Sequence, residues 1–498
     1  MTDFGGLTEA LRQPNQDLTS TRRIMAAFSL MSLATLAAVF LSVLTNKAIA
    51  VFAGAEGVAL SGLYRGLGAF ALSAATCGST TIVLQRVAAT RSRRESSEVI
   101  SAALLLLALQ AILIAVFALA APDLIAAWLF GPPASAALRI EIQVVLAMAF
   151  FNLALQTVTA MIKGQPDMRP VAALMIATSA GSLAVIYPLL MHGRLGLAVS
   201  VGSGGVLGSI VGAFFVLRIF RPSILGDGFS AIQKHLSEFG TASLWLIAQS
   251  LGMAGGALIV QGMINRHYGL GGLGQYNAAM LIRETTVMVL MGSARTYALP
   301  VLGRLNENGR KEIFFSRTLR LLLAANCTAA LALIFGSRLI LRLLFSKEFV
   351  PASDMLTVFG FSLIGLSFAW SYNTFLLHKG DIATFVVLDL LCMTALIGSA
   401  WLGVRLGMPL VYFAWAYSLC YALCGAAYAA VVRWKYGGGY LTPSDASLGV
   451  LSLGVLAAAC AVSRLDMPYA NSVFLGLCVA GVLVSLGRRP AAGWLGGA

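Results

Sequence analysis

Apolar runs recur along the whole chain, and each is longer than about 18 residues, the length at which a helix spans the hydrocarbon of a bilayer. Hydrophobic residues make up 59% of the 498 positions and charged residues only 11%, against about 25% charged in a soluble domain. The sequence therefore predicts an all-α polytopic membrane protein. Fourteen transmembrane helices are expected, at 24–50, 60–84, 99–120, 138–162, 170–191, 195–218, 239–264, 275–300, 318–341, 355–377, 383–404, 409–432, 446–463 and 470–487. The net charge of +14 invites a nucleic-acid reading, but no basic domain stands outside the apolar runs. Basic residues of connecting loops that set topology and meet anionic lipid account for the charge.

The basic residues also orient the chain. Residues 1–21 are polar, and Arg22-Arg23 precede the first run, so the chain is expected to start in the cytoplasm without a cleavable leader. That orientation places 21 of the 34 Lys and Arg residues in cytoplasmic segments, nine opposite, and four (Arg65, Arg283, Arg295, Arg320) inside helices. Both termini are expected inside. The seven Cys all fall in apolar runs and read as small hydrophobes. The four His lack ligand spacing, and no phosphate-binding Gly-rich loop is present. Neither a metal nor a nucleotide cofactor is expected, which leaves substrate turnover, H⁺ or Na⁺ to drive any transport.

An internal duplication organises the rest. One apolar segment ends at Asn46-Lys47, a Gly-rich connection follows, the next segment carries Arg65, and the exit is at Arg86 before a basic run. The second copy repeats this with Asn265-Arg266, a Gly-rich connection, Arg283 and Arg304. The offsets agree: 283 − 65 = 218 and 304 − 86 = 218, while the later exits Lys163-Gly164 and Lys379-Gly380 give 379 − 163 = 216. Two pseudo-symmetric six-helix bundles follow, related by an axis along the membrane normal. The expected organisation is a cytoplasmic segment 1–23, an N-terminal bundle 24–220, a linker 221–238, a C-terminal bundle 239–435, and two extra helices with a tail at 436–498. The extra pair reads as peripheral, with almost no polar residues.

Polar stripes mark the first two helices of each half. Asn46 closes a stripe on the first helix, and Arg65 sits with serines and threonines on the second. Gln261 and Asn265 lie on the seventh; Asn277, Glu284 and Arg295 lie on the eighth. A polar face in lipid must turn toward protein or water, so the four faces are expected to line a central wet cavity. Inserting an Arg at a helix centre costs roughly 2.5–3.5 kcal/mol. Either a structural ion pair, such as Arg283 or Arg295 with Glu284, or an anionic ligand offsets that cost. Asp389 is a lone acid on the eleventh helix, open to reading as a satisfied interfacial carboxylate or as a coupling-ion site together with Glu284. Aromatic residues crowd the tenth and twelfth helices (Phe368, Trp370, Tyr372; Tyr412, Tyr417, Tyr421) and read as packing or as a greasy groove. Gly204, Gly208 and Gly212 form a small-residue packing face.

Several stretches resemble the polysaccharide-flippase branch of the multidrug/oligosaccharidyl-lipid/polysaccharide (MOP) exporter superfamily, the Wzx-type and enterobacterial common antigen flippases. They are Asn46-Lys-Ala-Ile-Ala-Val-Phe-Ala-Gly-Ala-Glu-Gly57, Tyr276 to Ala279, Tyr297-Ala-Leu-Pro-Val-Leu-Gly-Arg-Leu305, Leu344-Phe-Ser-Lys-Glu-Phe349 and Leu377-His-Lys-Gly-Asp381. The resemblance covers residues 24–435. It implies a V-shaped pair of bundles, alternating access, and an undecaprenyl-pyrophosphate-linked oligosaccharide carried to the periplasmic leaflet of a bacterial inner membrane, as in exopolysaccharide or O-antigen synthesis. It implies a monomer in the bilayer, working beside a polysaccharide polymerase and a chain-length regulator, with no nucleic acid. It also implies basic cavity residues, here Lys47, Arg65, Arg283 and Arg295. Cation-coupled multidrug antiport in the same superfamily is the alternative expectation. A membrane polymerase is disfavoured, because no non-cytoplasmic loop exceeds about 20 residues.

Overall fold

The computed structural model describes residues 21–76, 79–89, 93–131, 135–164, 167–220, 241–304, 308–437 and 443–463. All of their regular structure is helical. In chain order the helices are α1 (Thr21–Thr76), α2 (Ser79–Ala89), α3 (Arg93–Ala120), α4 (Pro122–Phe130), α5 (Ala136–Lys163), α6 (Arg169–Leu190), α7 (Gly193–Phe220), α8 (Thr241–Arg304), α9 (Asn308–Leu344), α10 (Ser353–His378), α11 (Ile382–Arg405), α12 (Val411–Tyr436) and α13 (Pro443–Ser463), with a 3-10 turn at Lys347–Ala352. Among the described residues, eleven stretches are long and apolar enough to cross a membrane. This is a multi-pass membrane protein.

Two of these stretches, Leu33–Thr76 and Leu244–Met291, run 44 and 48 residues. At about 1.5 Å per residue they measure roughly 66–72 Å, more than twice the ~30 Å of hydrocarbon. Each is two helices joined at a sharp corner, at Gly54 (φ 62°, ψ −161°) and Gly269 (φ 70°, ψ 179°). Only glycine adopts that backbone cheaply, so the two Gly-rich connections of the duplication become tight corners rather than loops. The short helix α4 and the 3-10 turn were not foreseen. The linker 221–238 and the fourteenth helix 470–487 lie outside the described residues.

The chain forms two compact units. The first contains α1 up to Ala48 and again from Leu67, then α2, α3, the start of α4, and α5 to α7. Its core is aliphatic: Val83, Val87, Ile100, Met161, Ile162, Val171 and Val216. Helix α7 lies almost backbone-to-side-chain on α5. A Cβ at Gly202, Gly205, Gly208 or Gly212 would fall 2.3–2.7 Å from Met148, Asn152, Leu155 or Val158. The small-residue face of this helix is therefore its packing seam, and Gly204 adds a second contact against Thr178 and Ser182.

The second unit contains residues 49–66 of α1, the last turn of α4 from Trp128, and everything described from Trp245 onward. Helices α10 and α12 form its spine, meeting where a Cβ at Gly365 would fall 2.6 Å from Ala422 backbone. Tyr372, Phe359 and Phe375 are fully buried along α10. The α10–α11 connection is tied by Asp381, which accepts from Lys435 at 2.7 Å and from Tyr436 at 2.8 Å. Burial pushes the Asp381 carboxyl up, but hydrogen bonds from Lys435, Tyr436 and Thr384 and the Lys435 charge outweigh it and hold it below its usual value.

Helix α13 is less plain than its sequence suggests. It begins early enough to include Asp445, which is fully buried. Arg320 Nε of α9 donates to Asp445 at 2.6 Å, and Ser316 Oγ donates to the same carboxylate at 3.0 Å. The first of the extra helices is thus docked on α9, within the second unit, by a charge pair whose acid is fully buried.

Candidate functional site

Four of the polar residues singled out in the sequence, Arg65, Asn277, Arg283 and Glu284, lie on two short segments of the second unit, 55–66 and 273–284. The two segments pack in register. A Cβ at Gly274 would fall 2.1 Å from the Ala55 carbonyl oxygen, and one at Gly62 would fall 2.1 Å from Asn277 Nδ2. Asn277 donates to the Ala59 carbonyl at 3.4 Å, a partner 218 residues away, which is the repeat offset itself. The amide of Asn277 therefore crosses from one repeat copy to its twin, in a notch that Gly62 leaves open.

This packing brings Arg65 and Arg283 within electrostatic reach of one acid, Glu284, which is exposed. Arg65 is half-buried and turns back on its own helix: Nη2 donates to Ser61 Oγ at 2.8 Å and Nε to the Ser61 carbonyl at 3.3 Å. Arg283 is buried, 4% exposed. Its Nε donates to Ser362 Oγ at 3.2 Å. Its guanidinium carbon lies 4.6 Å from the centroid of Tyr417 and 5.3 Å from that of Tyr421. These two rings come one helical turn apart on α12 and stack at 4.6 Å and 26°. Arg283 Nη2 remains buried without a hydrogen-bond partner. No carboxylate among the described residues makes an ion pair with Arg283.

The remaining sequence candidates fall as follows. Gln261 lies beside this group: a Cβ at Gly66 would sit 3.6 Å from its Oε1, and that oxygen is buried without a partner. Asn265 is buried and donates to the Leu129 carbonyl at 2.9 Å. Asn46 and Lys47 belong to the first unit; Asn46 is buried and donates to the Ser42 carbonyl at 2.9 Å, while Lys47 is half-exposed. Asp389 stands apart from the arginines, accepting from Gln249 at 2.9 Å and from Tyr428 at 2.8 Å. The side chain of Arg295 lies outside the described residues. Sequence reasoning passed over Ser362, Tyr417 and Tyr421 as Arg283 partners. The four-residue spacing of the two tyrosines was visible, but it reads equally as ordinary packing.

This arrangement can hold an oxyanion: a buried guanidinium with an uncommitted N–H, with a second, half-buried guanidinium that shares Glu284 with it. The family model for polysaccharide biosynthesis proteins matches residues 24–306, which is 306 − 24 + 1 = 283 of 498 residues. The chain belongs to that family. No curated relative matches. Among solved structures, an inward-facing multidrug resistance MATE family transporter of the MOP superfamily is similar, at 13% identity over 86% of this chain and 96% of that one, with TM-score 0.65. The lipid II flippase MurJ, in an inward closed conformation, is similar at 14% identity over 93% and 98%, with TM-score 0.65. A MOP superfamily transporter from Pyrococcus furiosus, described by the reverse polarity of its binding pocket, is similar at 16% identity over 87% and 96%, with TM-score 0.60. This polysaccharide biosynthesis family member thus has the MOP transporter fold.

Proposed function

We propose that this chain is a flippase for an oligosaccharide linked to a polyprenyl diphosphate, undecaprenyl in a bacterial inner membrane. It turns the cargo from the cytoplasmic to the periplasmic leaflet by alternating access, with both termini cytoplasmic, and feeds a polysaccharide polymerase and its chain-length regulator. The observation that carries this reading is Arg283, a buried guanidinium with an unpartnered Nη2 in a member of a polysaccharide biosynthesis family. Such a group is poised for an anionic headgroup, and Arg65 and Glu284 share its surroundings. The prenyl tail stays in lipid while the diphosphate is neutralised.

The test is export in cells. Loss of the chain is expected to leave lipid-linked oligosaccharide on the inner leaflet. Arg65→Ala and Arg295→Ala are expected to abolish polymer export at normal membrane levels, with Arg65→Lys and Arg295→Lys milder. Normal export in both Ala variants removes the mechanism. The exposed Glu284 carboxylate favours a second reading, cation-coupled drug antiport, which predicts a changed drug susceptibility on deletion and no lipid-linked intermediate.

A further inference from the structure

Arg283 is constrained on more sides than its charge requires. Ser362 fixes Nε, and Tyr417 and Tyr421 cover the guanidinium face. Phe359, on the same helix as Ser362, abuts Tyr417 edge-on at 5.6 Å and 90°. Tyr276, two turns before Arg283 on α8, abuts Phe359 at 5.9 Å. These packed rings leave the side chain little rotamer freedom. What they leave unsatisfied is the in-plane Nη2, at the end of the fork that matches carboxylate and phosphate geometry. A buried donor without a partner is a standing cost in a folded protein and calls for an explanation.

The duplication does not impose this cage. Offsets of 216 to 218 place Val199 to Val201 opposite Tyr417, Ser203 to Gly205 opposite Tyr421, and Val144 to Leu146 opposite Ser362. No aromatic residue stands at any of these positions. Arg65, the twin of Arg283, is instead tied to Ser61 of its own helix. Arg65 is held by its own helix, whereas Arg283 is held by a hydroxyl and two rings from two other helices.

We propose that Ser362, Tyr417 and Tyr421 are positioning residues that hold Arg283 as a preformed receptor for one oxyanion of the cargo, a phosphate or a carboxylate. Preorganisation of this kind raises affinity because the ordering is done before the ligand arrives. The inference rests on the flippase reading, in that the oxyanion belongs to the transported molecule.

The test uses the purified full chain in detergent, titrated calorimetrically with inorganic diphosphate and, separately, with glucuronate. Wild-type protein is expected to bind at least one of the two. The paired variant Tyr417→Leu/Tyr421→Leu is expected to bind that anion about tenfold or more weakly, because stacking over a desolvated guanidinium is lost. Tyr417→Phe/Tyr421→Phe keeps the ring faces and is expected to stay within about threefold of wild type. The anion that responds names the source: diphosphate points to the lipid-linked headgroup, glucuronate to an acidic sugar. Wild-type protein that binds neither anion, a Leu pair that binds as wild type does, or a Phe pair that loses as much as the Leu pair overturns the proposal. Full rescue of a deletion strain by the Leu pair discards the cage while leaving the flippase reading intact. A deletion strain that never accumulates lipid-linked oligosaccharide discards the flippase reading instead.

Discussion

Replacing Arg320 by Met removes half of the charge pair that docks α13. Asp445 is fully buried, Arg320 reaches it at 2.6 Å, and the Arg320 side chain is 30% exposed. Breaking a buried pair by deleting one partner typically costs about 3–5 kcal/mol, because the remaining charge has no water to turn to. Here Ser316 continues to donate at 3.0 Å, and an unpaired carboxyl can take up a proton, so about 2–4 kcal/mol is expected. Replacing both members, Arg320→Met with Asp445→Leu, removes the desolvated charges together and should fall within about 1 kcal/mol of wild type. Thermal unfolding in detergent measures the global effect. Undocking of α13 alone is read by maleimide labelling of a cysteine introduced at Ala459, which is fully buried, with the native cysteines, Cys460 among them, replaced by Ala or Ser. The single variant should expose that thiol and the double variant should protect it again. If the two substitutions simply add, with the double variant worse than either single one, the pair is not what holds this helix.

Gly62→Ala would force a Cβ to 2.1 Å from Asn277 Nδ2, so it should lower the melting temperature, and Asn277→Ala should restore most of the loss; no rescue means that the obstacle lies elsewhere. Gly269→Ala meets no atom within 4 Å, so its cost is the backbone strain alone, about 1–3 kcal/mol in unfolding experiments; an unchanged stability would mean that the corner relaxes. Asp381 ionises more readily folded than unfolded, so its contribution is present above the ordinary carboxylate range, about pH 4, and is lost as pH falls through its depressed value. Asp381→Asn should flatten that acid limb of the stability profile, and an unaltered limb assigns it to other carboxylates.

The apolar runs made the helical membrane fold legible, because it is written in spacing rather than in contacts, and the 218-residue offset recurs in the Asn277–Ala59 contact. The corners at Gly54 and Gly269 were visible only as Gly-rich connections, since a positive φ leaves no mark beyond the glycine itself. Arg65, Arg283 and Glu284 were found because charge inside an apolar run is conspicuous. Tyr417 and Tyr421 were hidden for the opposite reason: an aromatic pair one turn apart is what any buried helix carries. Asp445 was missed because it sits at the first turn of its helix, where an acid reads as a solvated end.

The Asn277–Ala59 bridge bears on how far the two repeats can still stand in for each other. Ala59 and Asn277 are the same position in the two copies, and the notch at Gly62 corresponds to Met280 in the second copy, since 62 + 218 = 280. A protein assembled from two identical later halves would thrust a methionine into the space the amide occupies. One assembled from two earlier halves would have no amide to span the seam. At this seam the side chains have become lock and keyhole, and neither half can be traded for a second copy of its sibling.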